Sequence, residues 1–195
     1  MLALLVHYGG STDGTVGLVE RERDVRLVRH ERNLGYGASL RDGIEAGDGP
    51  RIVMIDADLE YLPEDVPELD RALDSADAVF GSRFLSAGQQ PRSAVWSLGN
   101  RTVTGVFNLL FAQRLTDLYT GLRGVRRAAL PVAGFRRAGF DVVIEIAAAL
   151  ARRGGRLVEV PIGYVPRTRG HSKMRHGREA ARFVATALRL RLGGA

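Results

Sequence analysis

The sequence contains no cysteine among its 195 residues, which excludes a disulfide framework and any thiolate metal site and gives no reason to expect an oxidising compartment. No apolar run approaches the roughly 18 residues that a membrane-spanning helix requires, and the start MLALLVHYGG lacks the basic flank and the length of a signal peptide. The expectation is a cytoplasmic protein, neither exported nor threaded through a membrane. Aromatic residues make up only 7% of the chain and the arginines are spread over several elements, so nucleic acid is not the expected partner. Lysine is almost missing: Lys173 is the only one among 28 basic residues. The four histidines, His7, His30, His171 and His176, show no metal-binding spacing and read as structural or exposed.

Charge is present but unevenly spread. Residues 1–99 carry 10 basic and 17 acidic side chains, a net −7, whereas residues 100–195 carry 18 and 5, a net +13. The second half therefore favours an anionic partner, such as a phosphorylated substrate or a phospholipid surface. At this length, with 45% hydrophobic residues and no repeat or long linker, one domain spanning 1–195 is expected.

Short runs rich in Val, Ile and Leu, at residues 2–6, 25–28, 52–55, 78–80 and 157–162, alternate with stretches of helical periodicity at 37–46, 64–73, 95–111, 142–152 and 178–192. This alternation predicts an α/β fold with a largely parallel sheet. The last helix, 178–192, is basic and amphipathic. Ala180, Phe183, Val184, Ala187 and Leu188 form its apolar stripe, which suits packing on the domain's own sheet or lying on an anionic membrane.

In such a sheet the loops leaving the carboxyl ends of the strands converge on one crevice. The segment Arg51-Ile-Val-Met-Ile-Asp-Ala-Asp-Leu-Glu60 is the most informative of them. Asp56 and Asp58, spaced i, i+2 at a strand end, can point the same way, and Glu60 follows at i+4. Two adjacent carboxylates repel unless a cation lies between them, and hard divalent ions prefer oxygen ligands. Mg²⁺ or Mn²⁺ holding a substrate diphosphate fits this pattern; a solvated acidic turn before the next helix fits it equally. The turn Gly9 to Thr15 can cap a helix through Ser11, Thr12 or Asp13, or contribute to a nucleotide site. Asn33-Leu-Gly-Tyr-Gly37 opens a helix and is explained by capping alone or by phosphate or ribose contact. Arg167-Thr-Arg-Gly-His-Ser-Lys173 concentrates cations that can clamp a diphosphate, and is otherwise a basic surface loop. Asp117 can act as a base, as an arginine partner or as a turn cap.

Taken in order, the segments GSTDGT, NLGYGAS, DADLE, GSRF, LTDLYTGLRGVRR, EVPIGY and RTRGHSK resemble the family 2 glycosyltransferases, in particular the dolichyl-phosphate mannosyltransferase-like branch, across almost the whole chain. The resemblance implies a GT-A fold and an inverting transfer of sugar from a GDP- or UDP-linked donor to a polyprenyl phosphate, with Mg²⁺ or Mn²⁺ as cofactor. It implies Asp56 and Asp58 as donor and metal contacts, with Glu60 at the place of a third ligand. Arg83 becomes a cation for donor or acceptor phosphate and Asp117 the acid of the family's TD motif, with Asp58, Asp117 and Arg83 the catalytic set. Ser11, Asp13, Asn33, Gly35, Asp56, Arg167, Ser172 and Lys173 become donor-binding positions.

Two departures stand out. Family members begin with a strand and turn resembling VVIPAYNE, which this chain lacks, and the two aspartates before GSTD are Tyr8 and Gly9. By the resemblance, the sheet is truncated at its amino-terminal side, with an interior position open between the strands at 2–6 and 52–55. A catalytically silent relative, with a structural, oligomeric or membrane-surface role, is the alternative expectation, and peripheral contact with the inner face of an anionic membrane is compatible with either.

Overall fold

The computed structural model describes residues 4–8, 14–86, 94–131, 135–166 and 176–193. In chain order the elements are β1 (Leu4–Tyr8), α1 (Thr15–Val19), β2 (Val25–Arg29), α2 (Tyr36–Ala46), β3 (Arg51–Met54), α3 (Val66–Ala72), β4 (Ala78–Ser82), α4 (Ala94–Phe111), β5 (Arg123–Arg126), α5 (Val142–Arg152), β6 (Leu157–Pro161) and α6 (His176–Leu192). The five expected helices and five expected strands are all found, with ends shifted by a few residues. β5 and the single-turn α1 are additions.

β1 and β2 pair in parallel as a separate two-stranded sheet, and the other strands form a sheet of order β3-β5-β4-β6. β4 and β6 are parallel, while β5 runs antiparallel to both β3 and β4. The largely parallel sheet expected from the sequence is therefore mixed, with three strands running one way and one reversed between them. The reversal follows from the connection: β5 is reached from α4 by the loop 112–122 without a further helical crossover, so it enters from the opposite end. As a result, the start of β5 lies beside the carboxyl ends of β3 and β4. No hydrogen-bonded ladder joins β1 and β2 to the four-stranded sheet among the described residues.

β4 is buried along its whole length, as expected of an interior strand covered on both faces. Ala78 and Phe80 face a large cluster with Phe107 of α4, Ile144 and Ile146 of α5 and Phe183 of α6. Val79 faces the other way, onto Leu69 and Leu73 in and just after α3. Only part of the apolar stripe of α6 is spent inside the protein: Phe183 and Ala187 are buried in a cluster shared with α4 and α5, Ala180 and Val184 are half-buried, and Leu188 is exposed. The helix packs on α4 and α5 rather than directly on the sheet as expected, and those two residues are closed to a membrane.

α2 forms because Tyr36, Leu40 and Ile44 recur at i, i+4 on one face, all packed on the main cluster. Its first turn presses on the segment before α5, where the Gly37 amide donates to the Ala138 carbonyl at 2.8 Å. A Cβ at Gly37 would overlap the Arg137 carbonyl oxygen and lie 2.9 Å from its carbon. Since the obstacle is backbone, Gly37→Ala is expected to destabilise the fold by about 1–3 kcal/mol. Thermal unfolding measures this as a midpoint lowered by about 2–4 °C per kcal/mol; an unchanged midpoint would contradict this packing.

Candidate active site

The site is built where β3 and β4 end and β5 begins. Beyond β3 the chain leaves the sheet, and the Asp56 amide donates to the Gly121 carbonyl at 3.2 Å, seating Asp56 against the turn that leads into β5. There is no room for a side chain at Gly121: a Cβ would overlap Asp56 Oδ2 and approach Tyr61 Cε2 to 2.6 Å. Asp56 Oδ1 accepts from the Tyr36 hydroxyl at 3.1 Å, and that hydroxyl accepts from Arg123 Nη2 at 3.2 Å. Burial pushes the Asp56 carboxyl above the usual carboxylate range. Arg123 and the Tyr36 hydrogen bond pull it back, while the charge of Asp58 pushes it up further.

Asp58 Oδ1 accepts from the Glu60 amide at 3.2 Å, closing a turn around Leu59. Leu59 has φ of 63°, a left-handed conformation unusual for a branched side chain, and is largely exposed. Strain of this kind persists where surrounding contacts over-determine the backbone. Here the Asp58 turn lies on one side. On the other, the Glu60 carbonyl accepts from the Val165 amide at 3.0 Å.

Beside this acidic turn lies a buried ion pair. Arg83, immediately after β4, donates to Asp117 from Nε at 2.7 Å and from Nη2 at 2.8 Å, and Nη2 also donates to the Tyr119 carbonyl at 3.0 Å. The guanidinium lies 4.4 Å from the Trp96 ring centroid, 5.3 Å from that of Tyr164 and 5.6 Å from that of Tyr61. Burial alone would pull the Arg83 pKa down; Asp117 more than reverses this and keeps the cation charged. Asp117 is fully buried and also accepts from the Arg83 amide at 3.1 Å and Asn100 Nδ2 at 2.6 Å. Glu159 of β6 accepts from the Thr116 and Asp117 amides and so fixes the turn that carries Asp117.

The sequence-derived residues divide as follows. Asp56, Asp58, Arg83 and Asp117 come together at the strand ends. Glu60 is buried in the same turn, but no group of three or more His, Asp or Glu side chains gathers to hold a metal ion among the described residues. Asn33 is exposed and its Oδ1 accepts the Gly35 amide at 2.8 Å, stabilising the turn that precedes Tyr36. His30 is bonded to Asp42 of α2, in keeping with a structural role. Ser11, Asp13, Arg167, Ser172 and Lys173 lie outside the described residues. Two neighbouring carboxylates with no third match the habit of Mg²⁺ and Mn²⁺, which take one or two protein carboxylates and complete their shell with substrate phosphates and water.

The site also contains Tyr36, Trp96, Asn100, Tyr61, Arg123, Glu159 and Tyr164, none of which is among the residues expected from the sequence. One signal was available for Asn100 and Thr104: both fall on the buried face of α4 with Trp96, Val103, Phe107 and Phe111, where a polar residue needs a partner. Thr104 Oγ1 donates to Asn100 Oδ1 at 2.9 Å, which leaves the Asn100 amide to face Asp117.

The architecture is similar to that of glucosyl-3-phosphoglycerate synthase from Mycobacterium tuberculosis, solved with Mn²⁺, UDP-glucose and phosphoglyceric acid. The TM-score is 0.74 at 22% identity, covering 96% of this chain and 68% of that one. The fold is that of the GT-A glycosyltransferases. Among curated relatives, Glycosyltransferase AglJ of Haloferax volcanii is 30% identical over 169 residues, covering 86% of this chain and 55% of that protein. Undecaprenyl-phosphate mannosyltransferase of Micrococcus luteus is 32% identical over 149 residues, covering 73% of this chain and 60% of that protein. The chain thus spans a little over half the length of these relatives. The model of Glycosyl transferase family 2 matches residues 4–132, which include Asp56, Asp58, Arg83, Asp117 and the turn into β5, and the chain belongs to that family.

Proposed function

We propose that this domain binds a nucleotide-diphosphate sugar at the ends of β3 and β4 and transfers the sugar, with inversion, to a polyprenyl phosphate. The observation that carries the reading is the placement of the Asp56–Asp58 pair beside the Arg83–Asp117 ion pair. One side is suited to a metal-bound diphosphate and the other to a second phosphate. A divalent cation held by Asp56 and Asp58 would neutralise the departing diphosphate.

An oxygen of the acceptor phosphate attacks the anomeric carbon as the bond from that carbon to the diphosphate oxygen breaks, and the nucleoside diphosphate leaves with the electron pair. Arg83 is held rigid by Asp117 and by the three rings, so it offers positive charge without reorganising. A phosphate monoester is largely ionised near neutrality, its second pKa being about 6, so a strong base is not needed. Asp117, whose oxygens are committed to Arg83 and Asn100, is then a positioning residue. Ser11, Asp13, Asn33 and Gly35 stand as donor-side contacts, and Arg167, Ser172 and Lys173 as the clamp over the diphosphate.

The hollow between α4 and α6, lined by Trp96, Asn100, Val103, Tyr119, Glu179 and Phe183, has room for about one water at 30 Å³, so the acceptor chain lies outside it and only the acceptor phosphate is placed, beside Arg83. The name of the Micrococcus relative supports a polyprenyl phosphate. No described helix is long and apolar enough to cross a membrane. Peripheral contact with anionic lipid would use the exposed Leu188, Arg189, Arg191 and Leu192 at the end of α6.

Calorimetric titration with UDP and with GDP, in Mn²⁺ and in EDTA, tests the reading. Binding in Mn²⁺ that weakens at least tenfold in EDTA is expected. Folded protein that binds neither nucleotide would sink the enzyme reading in favour of a catalytically silent relative. Loss of a mere supporting residue around a metal costs about 10–100-fold in affinity, so Asp58→Ala should remove at least that much of the Mn²⁺-dependent binding. Unchanged binding would refute the metal assignment.

A further inference from the structure

Two buried arginines flank the site, and they are satisfied very differently. Arg83 meets its carboxylate directly, through two hydrogen bonds. Arg123, on β5 and only 2% exposed, meets none among the described residues: Nη2 donates to the Thr120 carbonyl at 2.6 Å and to the Tyr36 hydroxyl at 3.2 Å, while Nε and Nη1 have no hydrogen-bond partner among them. A buried guanidinium that touches no carboxylate directly, and feels Asp56 only across the Tyr36 hydroxyl, is expensive for a fold to keep. An apolar side chain in its place would not carry that penalty.

What Arg123 does have is a directed link to Asp56. By donating to the Tyr36 oxygen, it occupies a lone pair of the hydroxyl and leaves the hydroxyl's own proton for Asp56 Oδ1, 3.1 Å away. The Tyr36 ring cannot swing to relax this chain, because it is stacked on Phe140 with centroids 4.9 Å apart. The backbone of Asp56 is held from the other side by Gly121, two residues before Arg123. Arg123, Tyr36 and Asp56 thus form a three-member chain with a fixed donor direction, reaching into the donor site from behind.

We propose that Arg123 is a positioning residue for donor binding, fixing the orientation of the Asp56 carboxylate through the Tyr36 hydroxyl. The proposal rests on the donor-site reading above and adds to it the residue pair that supports one carboxylate. It also explains why β5 carries a charged side chain at a sealed position: the penalty is borne for the site and not for the fold.

The discriminating variant is Arg123→Met, which keeps the length of the stem and removes the charge. It is expected to leave the thermal midpoint unchanged or raised, and to weaken UDP or GDP binding in Mn²⁺ by about tenfold or more. Arg123→Lys, which retains a donor for the Tyr36 oxygen, should recover part of the loss. Tyr36→Phe should lose as much as Arg123→Met, and the double variant no more than about twofold beyond either, since both act through one chain. Additive losses would overturn the proposal, and so would binding lost in step with a lowered midpoint, the mark of a merely structural role. Wild-type binding with Arg123→Met within threefold of it would refute this inference alone. Wild-type protein that binds neither nucleotide would remove the donor-site reading and this inference with it.

Discussion

Asp117→Ala is expected to destabilise the fold by about 3–5 kcal/mol, because it strands a buried cation. Asp117 is fully buried and receives four hydrogen bonds, two from the Arg83 guanidinium, one from the Arg83 amide and one from Asn100. Removing it leaves those donors facing a void, and Arg83, itself 8% exposed, has little water to turn to. The pair Arg51–Asp74 is the internal contrast. Its contact is short, at 2.5 Å, but both side chains are substantially exposed. Asp74→Ala is expected to change stability by less than about 1 kcal/mol. Urea unfolding of the two variants separates the cases, and Asp117→Ala within 1 kcal/mol of wild type would show that Arg83 does not depend on it. Adding Arg83→Met to Asp117→Ala should restore much of the loss, since removing both partners eliminates the orphaned charge.

That expectation recasts Asp117. The sequence allowed a base, an arginine partner or a cap, and could not rank them, because its surroundings come from elements distant along the chain: Arg83 after β4, Asn100 on α4 and Glu159 on β6. The same limit applies to the aromatic enclosure of Arg83. Tyr61, Trp96 and Tyr164 are scattered over a hundred residues, in the loop after β3, on α4 and after β6, and converge on Arg83 only in the folded chain.

Local pattern was sufficient elsewhere. The apolar runs before Asp56 and Arg83 marked β3 and β4, and the rule that loops at strand carboxyl ends share a crevice placed those residues together. β5 escaped because Arg-Gly-Val-Arg has no apolar run; its four residues gain their burial from the strands on either side. With β5 unseen, the sheet looked parallel, and the reason that residues 117–123 reach the strand ends was also hidden. Arg123 was hidden for the opposite reason. A charged residue in a short segment reads as surface, and only its burial among Tyr36, Thr120 and Asp56 shows otherwise.

The second large effect is expected at Gly121. Its backbone does not require glycine, as its φ does not lie in the left-handed range; the requirement is space. The position a Cβ would take is already held by the Asp56 carboxylate on one side and the Tyr61 ring on the other. Tyr61 is itself fixed, by the bridge to Tyr164 and by contact with Arg83, so the side chain with freedom to move is Asp56. Gly121→Ala is therefore expected to turn Asp56 away from the site by an amount of order 1 Å, and displacements of that size cost about 100-fold in turnover. The readout is sugar transfer from a nucleotide sugar to a short-chain polyprenyl phosphate, with Mn²⁺-dependent nucleotide binding measured in parallel. Stability should fall by no more than about 1–3 kcal/mol, the range for one extra methyl in a packed interior. The variant thus stays folded under assay conditions, and its defect is read at the site. Turnover within threefold of wild type would mean that Asp56 does not need the seat that Gly121 provides. A loss of turnover with Mn²⁺-dependent binding intact would place the role of Asp56 in the chemical step and not in holding the donor. Joint loss of both is the expected result, because the same carboxylate that Gly121 seats is the one that Tyr36 and Arg123 orient.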